Sequence, residues 1–434
     1  MDRKTIDIIT LGCSKNLVDS ERLMRQLEAI GYHCTHDTDN PHGQIAIINT
    51  CGFIGDAKEE SINTILQFIE RKNKHQLSKL YVMGCLAERY LADLENELPE
   101  VDEFFGKFDF MNLLSQIKKL NEPVHVPSYE RKVTTPRHYA YLKIAEGCNR
   151  FCSYCAIPLI TGRYKSRTIE DIEAEVNWLA KQGVKELQVI AQDLTYYGID
   201  IYHEPKIAEL IDRISQIKGI EWIRLHYAYP TNFPLDLLKV MAQRDNVCKY
   251  LDIALQHSTD HMLSVMRRHI TQQQQTQLID TIRKEVPGIH IRTTLLVGHP
   301  GETAEDFEEL KQWTKQMRFE RMGCFAYSNE EGTFAAQNYK DDIPQGIKDQ
   351  RVEELMSIQE QIADEINHSK VGTKMKIIID RTEGNYYIGR TEFDSPEVDG
   401  EVLIDKNDGE LIIGEFYNAL ITNADTFDLY AKII

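Results

Sequence analysis

Apolar residues recur along most of the chain in short runs, separated by stretches with helical spacing. Residues 6–11, 44–48 and 80–83 read as strands buried on both faces, because their apolar positions do not alternate with polar ones. Between the first two, Leu17, Leu23, Leu27 and Ile30 fall on one face of a helix over 16–30, with Asn16 as its expected cap and Asp19 three residues on. Further helices are predicted over about 56–71 and from about Glu88. This alternation predicts an open parallel sheet. Six more runs, at 139–145, 186–191, 222–227, 250–255, 289–297 and 322–327, again alternate with helical patterns. Thr168 with Asp171, and Thr303 with Asp306, are spaced as capping boxes. Six such units predict a partial (βα)6 barrel whose active face lies at the strand C-termini. A helical stretch over 347–368 closes the series. Five short β-rich runs follow, at 376–380, 386–391, 401–404, 411–421 and 427–433, and predict a small antiparallel barrel. The fold class is α/β, with domains expected at 1–125, 136–368 and 369–434. Pro123, Pro127 and Pro136 among polar residues mark 121–137 as a linker.

The cysteines change this picture from architecture to chemistry. Cys148, Cys152 and Cys155 crowd the loop after the first barrel strand. Thiolates so close together suit a soft metal or an iron–sulfur cluster. A closed cube takes four thiolates, and the next cysteine is Cys248, so a cube held here keeps one iron open for chemistry. The alternatives are a zinc site using Cys152 and Cys155, or a redox dithiol. Zinc normally wants a second close pair, and none follows. Cys13, Cys51 and Cys85 each stand directly after one of the first three strands. In a parallel sheet those ends share one edge, where ligands bind. Adjacent glycines (Gly12, Gly52, Gly84) would let the backbone approach a bulky inorganic group. The alternative is three buried cysteines acting as small apolar residues. Cys34, Cys248 and Cys324 read as core, and Tyr196 and Tyr197 as packing.

On the barrel's active face, Gln192, Asp193, Gln256, His257 and the Val297–Gly298 turn gather around the first triad, as a small polar cofactor requires. Several other motifs read more plainly. Residues 298–303 form a turn into a helix, His257 and His261 lack the glutamate of a zinc-protease motif, and 272–275 begin a solvated helix.

With 434 residues, 42% of them hydrophobic and 27% charged, the composition is that of a soluble globular protein. No run approaches the ~18 apolar residues of a membrane span, and residues 1–7 lack the apolar core of a secretory signal. A reducing cytoplasm is therefore expected, where nine cysteines are ligands or thiols and not disulfides. The net charge of −18 argues against a broad grip on nucleic acid and is compatible with a basic protein partner or simply with a soluble acidic enzyme. Residues 370–434 follow suit, with seven basic against thirteen acidic side chains.

The spacing at 148–155, with Tyr154 before the last cysteine and the loop on the first strand of a partial barrel, resembles the radical S-adenosylmethionine (radical SAM) enzymes. The whole chain resembles their methylthiotransferase family, which adds a three-cysteine N-terminal domain and a C-terminal TRAM, OB-like module. The supporting strings are Leu11-Gly12-Cys13-Ser14-Lys15-Asn16, Asn49-Thr50-Cys51-Gly52-Phe53-Ile54 and Gly84-Cys85-Leu86-Ala87-Glu88-Arg89-Tyr90. Ser14-Lys15-Asn16 and Gly52, with Arg292-Thr293-Thr294, Tyr327-Ser328 and Glu330-Glu331-Gly332-Thr333, look like the protein-modifying branch and unlike the tRNA-modifying one. Ala254 and His226 depart from the family's usual Pro and Leu.

The resemblance implies two 4Fe–4S clusters, one on Cys148, Cys152 and Cys155 and an auxiliary one on Cys13, Cys51 and Cys85, which carries an external sulfide. It implies S-adenosylmethionine bound near Tyr154 (at adenine), Gln192 and Asp193 (methionyl or ribose part), Gln256, and the backbone of Leu296, Val297 and Gly298. The implied reaction methylates the sulfide with one S-adenosylmethionine and cleaves a second to a 5′-deoxyadenosyl radical. That radical removes a β-hydrogen from an aspartate of small ribosomal subunit protein twelve, which then takes the methylthio group. An electron donor is required, and neither a membrane nor a direct tRNA substrate is expected. The alternative within the family is tRNA adenosine methylthiolation.

Overall fold

The computed structural model describes residues 5–107, 109–117 and 126–434. The first sheet contains β1 (Thr5–Thr10), β2 (His33–His36), β3 (Ile45–Thr50), β4 (Lys79–Gly84) and β5 (Glu103–Phe105), all parallel, in the order β2-β1-β3-β4-β5. Helices cover both faces, which is why the strands lack alternation. Ile6, Ile8 and Ile47 pack against Leu23, Met24 and Leu113 on one side, and Ala46, Ile48 and Val82 against Ile65, Phe68 and Leu94 on the other. β5, with three residues, is too short to stand out in the sequence.

Asn16 does not cap the first helix. That helix starts at Ser14, with Cys13 at the cap position and no side-chain cap bond. The Asn16 amide donates instead to the carbonyls of Leu11 (3.0 Å) and Thr50 (3.1 Å), tying the loops that carry Cys13 and Cys51.

The second sheet is built from β6 (Tyr139–Lys143), β9 (Glu186–Ile190), β10 (Trp222–Ala228), β11 (Val247–Gln256), β12 (His290–Val297) and β13 (Arg321–Ala326), with β7 (Ala145–Glu146) and β8 (Lys165–Ser166) as a side hairpin. Its six strands are parallel in the order β13-β12-β11-β10-β9-β6, the predicted partial barrel. One face packs Leu142, Val189, Leu225, Ile253 and Leu295 against the surrounding helices. The residues between them, Glu186, Gln188, Arg224, His226, Asp252 and Arg321, are also buried, and Arg292 is partly so, so the other face is a charged lumen. Thr303 and Asp306 form the expected capping box. Thr168 caps its helix by accepting from the Asp171 amide, while the Asp171 carboxylate takes Arg167 and Ser128. The helix start at 272–275 is only partly solvated, because Gln275 is buried and donates to Leu255.

After the helix Gln345–Ser369 come β14 (Lys374–Glu383), β15 (Tyr386–Thr391), β16 (Val402–Asp405), β17 (Phe416–Ala424) and β18 (Leu429–Ile433). They form a closed barrel in the order β14-β15-β16-β18-β17, antiparallel except for a parallel β16–β18 pair that completes the closure. This barrel stoppers the charged lumen near the strand N-termini. Arg390 reaches Glu186 at 2.7 Å and Asp380 at 2.6 Å, Arg292 meets Asp399 at 2.5 Å, and Arg321 meets Asp394 at 2.9 Å. The Tyr139 hydroxyl donates to Glu397 at 2.8 Å. Part of the module's acidity therefore faces inward. No helix among the described residues is long and apolar enough to cross a membrane.

The expected linker at 121–137 is corrected where it is described; residues 121–125 lie outside the described residues. Arg131 is buried, paired with Glu21 of the first helix and, at 2.9 Å, with Glu175 of the barrel layer. Arg22 and Arg167 meet the same Glu175 at 3.2 Å and 2.6 Å. The segment is a strap pinned through one buried arginine, not a free spacer.

Two outcomes follow from these buried charges. Arg390→Ala strands Glu186 and Asp380 without their main cation and should cost about 3–5 kcal/mol. A urea midpoint equal to the parent's would contradict it. Burial alone would raise the Glu175 carboxyl, but Arg167, Arg131 and Arg22 hold it down to about 2. A carboxylate depressed by folding stabilises the fold above its ordinary 4.5 and loses that contribution as pH falls toward about 2. The stability gap between the parent and Glu175→Gln should thus close across that acid window, and a pH-independent gap would refute it.

Candidate active site between two cysteine triads

Cys13 precedes the helix Ser14–Ala29, Cys51 follows β3, and Cys85 opens the helix Cys85–Glu97 directly after β4. All three stand on one edge of the first sheet. The glycines beside them make room for neighbouring loops. A Cβ on Gly12 would lie 2.8 Å from Cys51 Sγ, and one on Gly52 would lie 2.8 Å from the Leu86 backbone. The three loops are thereby nested against one another. Burial pushes the Cys51 thiol up and the Cys85 thiol up to about 12. Thiols so placed give up their protons readily only to a metal centre. Among the described residues no three His, Cys, Asp or Glu side chains are grouped to hold a single ion. Cys13, Cys51 and Cys85 are free thiols, a soft donor set of the kind an iron–sulfur centre takes.

The other triad lies between β7 and the short helix Ile157–Thr161. Arg268 is buried and donates from Nη1 to Cys152 Sγ across 3.3 Å, and the Tyr229 hydroxyl is 3.7 Å from the same sulfur. The Arg150 amide points at Cys148 Sγ at 3.5 Å, while its guanidinium meets Asp193 at 2.6 Å and lies 4.3 Å from the Tyr229 ring centre. Burial raises the Cys148 thiol to about 12 and raises Cys155 as well. Asp193 spends its second oxygen on the Thr195 amide (2.9 Å) and hydroxyl (2.7 Å), so one oxygen braces the cysteine loop and the other fixes its own turn after β9.

The residues expected around S-adenosylmethionine divide into two groups. Tyr154, Gln256 and Leu296 line a cavity of about 780 Å³. Gln192 stands after β9, its amide on Glu146 and its Oε1 buried without a partner, an acceptor turned toward nothing in the protein itself. Val297 and Gly298 do not line the cavity: the Val297 carbonyl takes the Tyr327 amide at 2.8 Å, and the Gly298 amide goes to Glu302. They shape the turn beneath Leu296. Cys34, Cys248, Cys324 and Tyr197 are buried, as expected for packing residues.

The two cysteine-bearing regions touch. Cys85 forms a small buried cluster with Ala156 and Ile160, immediately after Cys155. The 780 Å³ cavity is bounded by Phe53, Ile54 and Asp56 from the first sheet's loops and by Phe325 and Glu330 from the partial barrel. Its wall is latched by Glu330, whose side chain is 4% exposed and accepts from Lys58 at 2.8 Å and Arg89 at 3.1 Å. Burial opposes this charge, but the Lys58 and Ser328 hydrogen bonds outweigh it and keep the carboxyl below its ordinary value.

Family models describe the three parts: "Uncharacterized protein family UPF0004" over residues 5–106, the radical SAM superfamily over 142–314 and the TRAM domain over 371–434. Across the full chain, 64% of positions are identical to a protein of Bacteroides thetaiotaomicron called ribosomal protein uS12 methylthiotransferase RimO, covering 100% of this chain and 99% of that one. The chain belongs to the RimO family of radical SAM methylthiotransferases, and it is a transferase. A Bacteroides fragilis protein of the same name is 63% identical, and one from Phocaeicola vulgatus 62%, each covering 100% of both chains. Among solved structures, the fold is shared with the radical SAM methyltransferase TsrM from Kitasatospora setae (TM-score 0.56, 15% identity, 75% of each chain). It is also shared with the cobalamin-dependent radical SAM enzyme OxsB (TM-score 0.53, 12% identity, 83% of this chain and 56% of that one).

Several site residues carry no clear signal in the sequence. Arg268 and Tyr229 are single residues in loops, recognisable only once their loops fold over Cys152. Lys107, buried beside Cys85, follows the short β5 and could have been found on the same strand-end rule had that strand been visible. Glu330 stands in a string that signals the family without revealing its role as a latch. Removing it strands Lys58 and the nearly buried Arg89. Glu330→Ala should therefore cost the closed arrangement about 3 kcal/mol, on the order of a hundredfold in the open fraction. Limited trypsin digestion reads this as faster cleavage between the two sheets, and an unchanged rate would refute the latch.

Proposed function

We propose that the chain methylthiolates the β-carbon of an aspartate in small ribosomal subunit protein twelve (uS12), using two 4Fe–4S clusters, two molecules of S-adenosylmethionine, an external sulfide and an electron donor. The observation that carries this reading is the contact between two cysteine-bearing regions beside one cavity walled by both sheets. Residues 1–125 would hold the auxiliary cluster on Cys13, Cys51 and Cys85. Residues 136–368 would hold the radical SAM cluster on Cys148, Cys152 and Cys155, and residues 369–434 would serve the substrate protein. When bound, these groups supply what no side chain can: a 5′-deoxyadenosyl radical able to break an unactivated carbon–hydrogen bond, and a methylated sulfur to replace the hydrogen. One S-adenosylmethionine would donate its methyl group and leave as S-adenosylhomocysteine, while the other would take one electron from the donor and leave as methionine and 5′-deoxyadenosine carrying the removed hydrogen.

The protein's share is placement. Tyr154, Gln256 and Leu296 form the floor on which S-adenosylmethionine would lie. Phe53, Ile54 and Phe325 give the cavity apolar walls that leave a radical few hydrogen-bonded waters to meet. Arg268 and Arg150, each wedged against Tyr229, keep the cysteine loop from shifting. Positioning of this kind is where an enzyme handling such cofactors contributes most.

A basic protein substrate suits the surface beyond the cavity. A second hollow of about 840 Å³ runs from Met322 and Gly323 along β13, the strand whose other end reaches the first cavity at Phe325. Glu353, Glu360, Glu401 and Asp428 line it together with Met356 and Phe427. Acidic groups around apolar ones attract a cationic protein with salt-sensitive on-rates and repel a phosphate backbone.

Anoxic reconstitution tests the assignment. Alanine at Cys13, Cys51 and Cys85 should halve the iron content and spare 5′-deoxyadenosine formation. Alanine at Cys148, Cys152 and Cys155 should also halve the iron and abolish 5′-deoxyadenosine. Mass spectrometry of uS12 from cells with and without the gene should differ by one methylthio group on one aspartate. An unchanged uS12 together with loss of methylthio-adenosine in tRNA would make tRNA the substrate instead.

A further inference from the structure

Lys107 is a buried cation with poor company. It follows β5 on the strand-end edge that carries the three N-terminal cysteines, and its side chain is 5% exposed. Its Nζ lies 3.8 Å from Cys85 Sγ, 3.5 Å from Asn16 Oδ1, 3.5 Å from Glu146 Oε1 and 3.8 Å from Asp19 Oδ2. Charge-assisted bonds normally close to about 2.7–2.9 Å. None of these contacts does. Both carboxylates are drawn instead to Lys143, at 2.8 Å for Glu146 and closer still for Asp19. An ammonium shut away from water with loose partners has interaction capacity to spare, and it faces the thiol triad. The other triad carries a matching feature, since buried Arg268 donates to Cys152. Each triad thus has one interior cation against one sulfur, supplied by unrelated parts of the chain.

We propose that Lys107 is a positioning residue for the N-terminal triad, whose ammonium sets how readily the iron–sulfur centre held there accepts an electron. The inference rests on the auxiliary-cluster reading above. Reduction adds negative charge to a cluster, so a fixed cation next to one of its thiolates favours the reduced form. Net charge and hydrogen bonds to sulfur are the established levers on such potentials. Screening is weak at this depth, so the effect survives salt.

The test uses the full chain carrying Cys148→Ala, Cys152→Ala and Cys155→Ala, so that the N-terminal triad alone holds a cluster. The potential is read by electron paramagnetic resonance during a reductive titration. Lys107→Gln should make reduction at least tenfold less favourable, a shift of about 59 mV to more negative potential for a one-electron couple. Lys107→Arg, which keeps the charge and the interdomain contact, should titrate close to the parent. Asp19→Asn removes a competing anion and should shift the potential the other way. A Lys107→Gln protein with full cluster content and the parent's potential overturns the proposal. If Lys107→Gln fails to take up a cluster, Asp19→Asn decides: a positive shift supports the proposal and an unchanged potential overturns it. A parent background that takes up no cluster at all overturns the auxiliary-cluster reading, and this inference with it.

Discussion

Buried charges paired across the boundaries between folded parts hold the molecule in its working arrangement. The first sheet reaches the partial barrel through Glu21, Arg131 and Glu175 on one side and through Glu330, Lys58 and Arg89 on the other. The partial barrel reaches the C-terminal barrel through Glu186 with Arg390, Arg292 with Asp399, and Arg321 with Asp394. Such pairs add little to stability over well-packed apolar contacts, but breaking one strands a charge away from water. They therefore act as registry devices: parts docked in a different orientation would leave several charges unpaired.

This constraint places the chemistry. Neither triad alone explains a methylthio transfer, since one set of thiols would serve the radical and the other the sulfur. Cys85 lies against Ala156 and Ile160 because the strap at Arg131 and the latch at Glu330 bring the two active edges face to face. The cavity between them belongs to neither sheet. Its apolar walls come from loops that would be exposed on an isolated domain, and its floor comes from the ends of β11 and β12.

The C-terminal barrel has two electrostatic roles that its net charge conceals. Asp380, Asp394, Glu397 and Asp399 turn inward and complete the lumen of the partial barrel. Glu401 and Asp428 remain on the hollow beside β13. The count of seven basic against thirteen acidic side chains was visible in the sequence, but their division between core and surface was not.

The sequence by itself determined the α/β class, the two parallel series, the strand ends that bear the cysteines and the family, because these depend on local periodicity and on residues close together along the chain. It misread Asn16 as a helix cap and residues 126–137 as a spacer, since polarity marks a residue as capable of hydrogen bonding without saying which distant group it will meet. Tertiary structure alone decided that the barrel lumen is charged, that Arg268 and Lys107 face the two triads, and that those triads are neighbours. Each of these depends on partners tens to hundreds of positions apart, brought together by docking surfaces whose charges cancel only in one arrangement.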